Sequence, residues 1–190
     1  MAWIVFGSIL GGIALIAILC ILWGIITFNT FTRMKNQLDE AYSTMDVYLT
    51  KRYDLIPNLV ETVKGYTKHE NETLTNVMNA RNAAMTATNP EEKIQGEKAL
   101  TGTLKTLFAV AEAYPNLKAD GQFTELTQAL KNIESEIASS RKYYNGCVRQ
   151  YNTKRETFPS SIIANMKKFE KRPLYEVDDE EKRQNVKVQF

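Results

Sequence analysis

Residues 120–158 read DGQFTELTQALKNIESEIASSRKYYNGCVRQYNTKRETF. Within this stretch Phe123, Leu126, Leu130, Ile133, Ile137, Ser140, Tyr144, Cys147 and Tyr151 recur at steps of three and four. That is the spacing of a helix that packs along a partner through one seam. At about 1.5 Å per residue such a helix runs roughly 55 Å, longer than one compact neighbour covers, so several antiparallel helices are expected beside it. The residues between the seam positions, among them Glu125, Lys131, Glu134, Glu136, Arg141, Lys142 and Arg149, are mostly charged and leave one face for water or a polar partner. Asp120 is placed to act as an N-cap, and Pro159 stops the helix behind Phe158.

Upstream, the same period recurs. Phe31, Met34, Leu38, Ala41, Met45, Tyr48, Arg52 and Leu55 form one seam, until Pro57 either kinks the rod or opens a new piece that ends at Gly65. Thr67 and Glu70 are spaced as a capping box for the next helix, whose seam is Leu74, Val77, Arg81 and Ala84. Asn89-Pro90-Glu91-Glu92 restarts the chain with a cap and a proline at the first helical position. Leu100, Leu104, Leu107, Ala111 and Tyr114 then carry a helix to Pro115. The expected fold class is all-α: an N-terminal transmembrane helix followed by an antiparallel bundle of about four long helices.

The transmembrane expectation rests on Ala2 to Thr32, where no side chain is charged. A spanning helix needs about 20 apolar residues, and Trp3 and Trp23 lie about 30 Å apart along a helix, one near each interface. A cleaved signal peptide is the competing reading, but no basic region precedes the apolar run and no small-x-small site follows it. The sequence before Cys20, Ile18-Leu19, also lacks the small residue of a lipoprotein cleavage site. Gly7, Ser8, Gly11 and Gly12 form overlapping small-xxx-small pairs that let two such helices approach closely. Arg33 and Lys35, with Lys51 and Arg52 further on, follow the span and favour a cytoplasmic bundle. The weak helix formers Asn29, Thr30 and Thr32 mark a candidate break between anchor and bundle. The expected domains are an anchor at 1–32, a helical bundle at 33–172 and a charged tail at 173–190. An apolar patch after Pro159 (Ile162, Ile163, Met166, Phe169) is suited to cover the open end of the bundle, and Val186 to Phe190 alternates as a strand does.

Composition narrows the function. Charged residues make up 24% of the chain and the net charge is +2, so nothing calls for nucleic acid. Cys20 and Cys147 fall in segments of different environment, which argues against a disulfide. His69 is the only histidine. It has neither a serine elbow nor the second histidine of the zinc protease motif beside it, so a helix-start role is the expectation. Cys147 sits on the long helix seam, where a buried thiol acts as a small hydrophobe. No enzyme activity and no cofactor are expected.

The polar residues on or near the seams are more informative. Arg52 and Arg81 occupy seam positions, with Glu112, Arg141, Asn145 and Asn152 beside them. A buried charge is costly unless paired, so a polar network fixing helix register is one expectation and snorkelling to the bundle edge the other.

Several longer motifs carry a resemblance. Lys51-Arg52-Tyr53-Asp54-Leu55-Ile56-Pro57-Asn58-Leu59-Val60, His69-Glu70, Ala109-Val110-Ala111-Glu112-Ala113-Tyr114-Pro115-Asn116-Leu117-Lys118-Ala119, Tyr143-Tyr144-Asn145, Tyr151-Asn152 and Phe158-Pro159 together resemble the LemA family of bacterial membrane proteins. The resemblance implies an N-terminal membrane helix, a helical bundle and no catalytic activity. Some members are similar to factors for building magnetosome membranes, which implies scaffolding. Two functions follow as expectations. One is a scaffold of the bacterial inner membrane that self-associates into a homo-oligomer, using the glycine-bearing span, the charged face of the long helix and the strand-like tail. The other is a monomeric adaptor or regulator of another membrane protein, such as a protease or transporter.

Overall fold

The structure, a computed structural model, describes residues 1–67 and 70–175. His69 and the strand-like segment from Val186 lie outside the described residues. The chain forms α1 (Ala2–Lys64), α2 (Asn71–Thr86), α3 (Pro90–Ala111), α4 (Pro115–Lys118), α5 (Gly121–Glu156) and α6 (Ser160–Met166). No strand occurs among the described residues, and the fold is an all-α bundle with one long apolar N-terminal helix.

α1 runs as one helix of 63 residues. The hydroxyls of Thr30 and Thr32 donate back to the carbonyls of Ile26 and Phe28, at 2.8 and 3.2 Å, so these residues bond within the helix and it does not break there. Pro57 does not end it either. It lies inside α1, which reaches Lys64 before Gly65 closes it.

The caps divide. Asn89 accepts from the Glu92 amide at 2.8 Å with Pro90 at the first helical position, and Asp120 accepts from the Phe123 amide at 2.8 Å. Thr67 and Glu70 form no capping box. Thr67 donates its hydroxyl to the Val63 carbonyl of the preceding helix, and the Glu70 carboxylate accepts instead from the Tyr114 hydroxyl. Both side chains have found other partners, so α2 begins at Asn71 without a side-chain cap.

The chain divides into two compact units. The divisions pass within α1, between Tyr42 and Ser43, and within α5, between Lys142 and Tyr143.

The first unit comprises Met1–Tyr42 and Tyr143–Leu174. Its core is Phe31, Leu38 and Ala41 of α1, Cys147, Val148 and Tyr151 of α5, and Ala164 of α6, with Met34, Tyr144, Phe169 and Leu174 packed against it. Phe31 meets Tyr151 edge-on and stacks on Phe169 at 4.9 Å between centroids. α6 ends in a Schellman turn: Lys168 takes φ 53°, and the Phe169 amide bonds to the Ala164 carbonyl at 2.9 Å. That turn sends Phe169 back onto Phe31. The irregular strand of chain beyond it is held by side chains of α5. Asn152 bonds both the carbonyl and the amide of Arg172, Arg155 donates to the Phe169 carbonyl, and Tyr144 donates to the Pro173 carbonyl.

The second unit is Ser43–Lys142 with Tyr175. Its core takes Met45, Leu49, Ile56 and Leu59 from α1, Leu74, Val77 and Ala84 from α2, Leu100, Leu104 and Leu107 from α3, and Phe123, Leu130 and Ile137 from α5. α2 and α3 come into close contact at Gly96. A Cβ there would lie 2.8 Å from the Ala84 Cα, inside contact distance with backbone that cannot swing aside. Glycine at 96 is therefore a packing requirement, although it lowers helix propensity by about 1 kcal/mol relative to alanine.

Two outcomes follow. Gly96→Ala is expected to destabilise the chain by about 1–3 kcal/mol despite the propensity gain, read as a lowered melting temperature of the full-length protein in detergent. The Phe123 amide and then the Tyr66 hydroxyl hold the Asp120 carboxyl below its ordinary 3.8. The folded value is depressed, so the contribution of Asp120 is present above pH 3.8 and is lost as the pH falls through the folded value. Asp120→Ala should therefore lower the melting temperature near neutral pH and cease to do so in stronger acid.

Candidate functional site

The second unit holds a buried polar cluster centred on two consecutive residues of α1, Arg52 and Tyr53. Arg52 is 2% exposed, on the buried face of α1 that also presents Leu49 and Ile56. Its guanidinium pairs with Glu97 of α3 through one terminal nitrogen and with Glu134 of α5 through the other, the latter at 2.7 Å. Glu97 is itself 4% exposed and accepts a second bond from the Tyr53 hydroxyl. A charged side chain is retained at such depth only when its donors and acceptors are matched, and here Glu97 accepts from both Arg52 and Tyr53.

Pro57 explains the fourth helix at this cluster. Having no N–H, it cannot donate to the carbonyl four residues back, which belongs to Tyr53. Arg81 of α2 supplies the missing bond, its Nε lying 2.7 Å from the Tyr53 oxygen. One residue pair on α1 thus meets side chains from α2, α3 and α5.

Electrostatics follow the burial. Desolvation works against the Arg52 charge, but the attraction of Glu97 and then Glu134 outweighs it and raises the guanidinium above its ordinary value. Burial pushes the Glu97 carboxyl up, against the pull of Arg52 and Tyr53. Burial, followed by the neighbouring Glu97 charge, raises the Tyr53 phenol well above its ordinary 10, which keeps it a proton donor. The hydrogen bonds and ion pairs of the cluster link α1 to α2, α3 and α5.

Of the six polar residues read from sequence, the structure brings Arg52 and Arg81 together. Glu112 is exposed at the C-cap of α3, where the helix has already ended. Arg141 is half-buried in the second unit. Asn145 and Asn152 belong to the first unit, where Asn152 binds the Arg172 backbone. Tyr53, Glu97 and Glu134 complete the cluster instead. Glu97 had a signal: the α3 seam of Leu100, Leu104 and Leu107, continued back by three and by seven, lands on Glu97 and on Lys93, and Lys93 pairs with Asp46 of α1.

The apolar run of α1 is exposed on all sides. Its share from Trp3 to Ile26 includes eighteen-residue stretches apolar enough to cross a membrane, with none of that window buried. Gly7, Gly11 and Gly12 have open space where a Cβ would stand, and Ser8 bonds back to the Val5 carbonyl. Among the described residues no group of His, Cys, Asp and Glu is placed to hold a metal ion. Cys20 and Cys147 are both free thiols, the second buried.

Comparison with known proteins matches the LemA family over residues 41–190. Protein LemA of Metamycoplasma hominis is 27% identical over 140 residues, covering 72% of this chain and 63% of that protein. Magnetosome proteins MamQ 1 and MamQ 2 of Paramagnetospirillum magneticum are each 23% identical over 195 residues, covering 89% of this chain and 70% of theirs.

Two measurements test the cluster. Arg52→Ala leaves Glu97 buried with a single donor and is expected to cost about 3–5 kcal/mol, whereas Arg52→Met combined with Glu97→Leu should recover most of that loss. Arg81→Met should cost about 1–2 kcal/mol in the native chain. In a Pro57→Ala background, where residue 57 regains its N–H, it should cost less, with a coupling of about 0.5–1.5 kcal/mol in the double-mutant cycle.

Proposed function

This chain belongs to the LemA family, and on that premise we propose that it is a membrane-anchored, non-enzymatic helical scaffold that self-associates at the bilayer. The observation that carries this reading is the exposed, uncharged run of α1. Large apolar side chains from Trp3 to Ile26 face outward around the whole helix, and lipid is the solvent in which that surface is stable. Trp3 and Trp23 stand one at each end of a span of membrane thickness.

Neither the family description nor the relatives' names denote an enzyme. The buried cluster supports the same reading, because its charges are paired with one another between helices. Self-association draws support from the open small-residue face at Gly7, Ser8, Gly11 and Gly12, where two spans can pack backbone to backbone. The exposed Arg33 and Lys35 at the end of the run support a bundle on the cytoplasmic side of a bacterial inner membrane.

Particle size of the full-length protein in mild detergent tests the proposal. A homo-oligomer at micromolar concentration is expected, with Gly7→Leu and Gly11→Leu shifting it toward smaller species. A strictly monomeric particle that crosslinks in native membranes to a different membrane protein, a protease or transporter for instance, would replace the scaffold with an adaptor.

A further inference from the structure

α6 lies against α1 immediately beyond Trp23. The Ile163 side chain comes within 3.7 Å of the place a Cβ would take at Gly24, and Phe169 contacts Phe28 and Phe31 at 5.8 and 4.9 Å between ring centroids. Lys167 sets its Nζ over the Phe28 ring at 5.7 Å. Gly24 to Phe31 covers about 10 Å of helix axis, comparable with the roughly 5–8 Å of headgroup region on each side of a bilayer. The first charge on α1, Arg33, comes only after this level.

One face of α6 is buried in the first unit through Ser160, Ile163 and Ala164. The opposite face is apolar and open: Ile162 and Met166, spaced by four, are 54% and 64% exposed, and Phe158, in the turn that precedes α6, is 78% exposed. Beyond the apolar run of α1 the other exposed large hydrophobics, Val47, Tyr66, Met85 and Tyr143, are scattered singly along the chain, as on any protein surface. Residues 154–172 also carry six basic and two acidic side chains. An apolar stripe, bordered by lysines and fixed against a spanning helix at headgroup depth, has the features of an interfacial helix.

We propose that α6 is a second membrane contact, seated in the headgroup–acyl boundary beside the span, with Phe158, Ile162 and Met166 in the lipid and Lys167 and Lys168 on the phosphates of anionic phospholipids. This rests on the reading that α1 crosses the bilayer. It makes the attachment two-point: a span that holds the chain to the membrane and a flat patch that sets the first unit's orientation on it.

The test uses the full-length chain in vesicles of equimolar phosphatidylcholine and phosphatidylglycerol, with a photoreactive phenylalanine analogue introduced at one position at a time. Phospholipid adducts detected by mass are expected at Phe158 and Ile162, and none at Asn36, an exposed α1 position about 20 Å beyond Trp23. Phosphatidylglycerol should outnumber phosphatidylcholine in the adducts by roughly two- to fivefold, falling to parity in the Lys167→Gln, Lys168→Gln double variant. Ile13, in the span, reports on the premise. Adducts at Ile13 with none at Phe158 or Ile162 would overturn this inference and leave the span intact, as would crosslinks from Ile162 only to a second copy of the chain. A failure at Ile13 as well would remove the span itself.

Discussion

A guanidinium with almost no access to water is the constraint around which the second unit is arranged. Arg52 is unstable in that position unless acids meet it, so α3 and α5 must each deliver a glutamate to one point on α1. Apolar seams tolerate sliding by a turn with modest loss. A buried charge does not, because a slip of one residue leaves it unpaired. The cluster adds little net stability for its size and a great deal of positional information.

Two local breaches of helix rules make that geometry possible. Pro57 removes one backbone bond from α1, and the carbonyl it exposes becomes the docking point for Arg81 of α2. Gly96, a poor helix former, lets α3 press its backbone against Ala84 of α2, and the next residue is Glu97. Each departure from ideal helix chemistry is matched by a tertiary contact one residue from the charged pair. The motif around Arg52-Tyr53 and Pro57 that resembles the LemA family is therefore a set of residues that require one another.

The seams were legible because period three-and-four burial is a property of the sequence itself. Every seam position read on α5 is buried or half-buried, from Phe123 to Tyr151, and the same holds on α1 from Phe31 to Leu55. The caps at Asn89 and Asp120 were equally local and equally readable. What escaped was decided by partners far along the chain. Nothing near Pro57 announces that Arg81 will satisfy the Tyr53 carbonyl. Thr67 and Glu70 have the spacing of a capping box, yet Val63 and Tyr114 claim them first. An acid at the head of an apolar seam, such as Glu97, reads as solvated until the helix that faces it is known. The division of the chain into units was hidden for the same reason, since it falls inside two unbroken helices.

That division has a consequence for how the chain is born. The residues of the second unit from Ser43 to Lys142 form one continuous stretch, so Arg52, Glu97 and Glu134 can find one another while the ribosome is still working. The first unit is assembled from the two ends. Phe31 emerges early, but Tyr151, Ala164 and Phe169 that cover it are translated more than a hundred residues later, several seconds at about 5–20 residues per second. During that interval its aromatic face waits uncovered beside the nascent apolar run, and α6, the last of the described helices to leave the ribosome, is the one that shuts it.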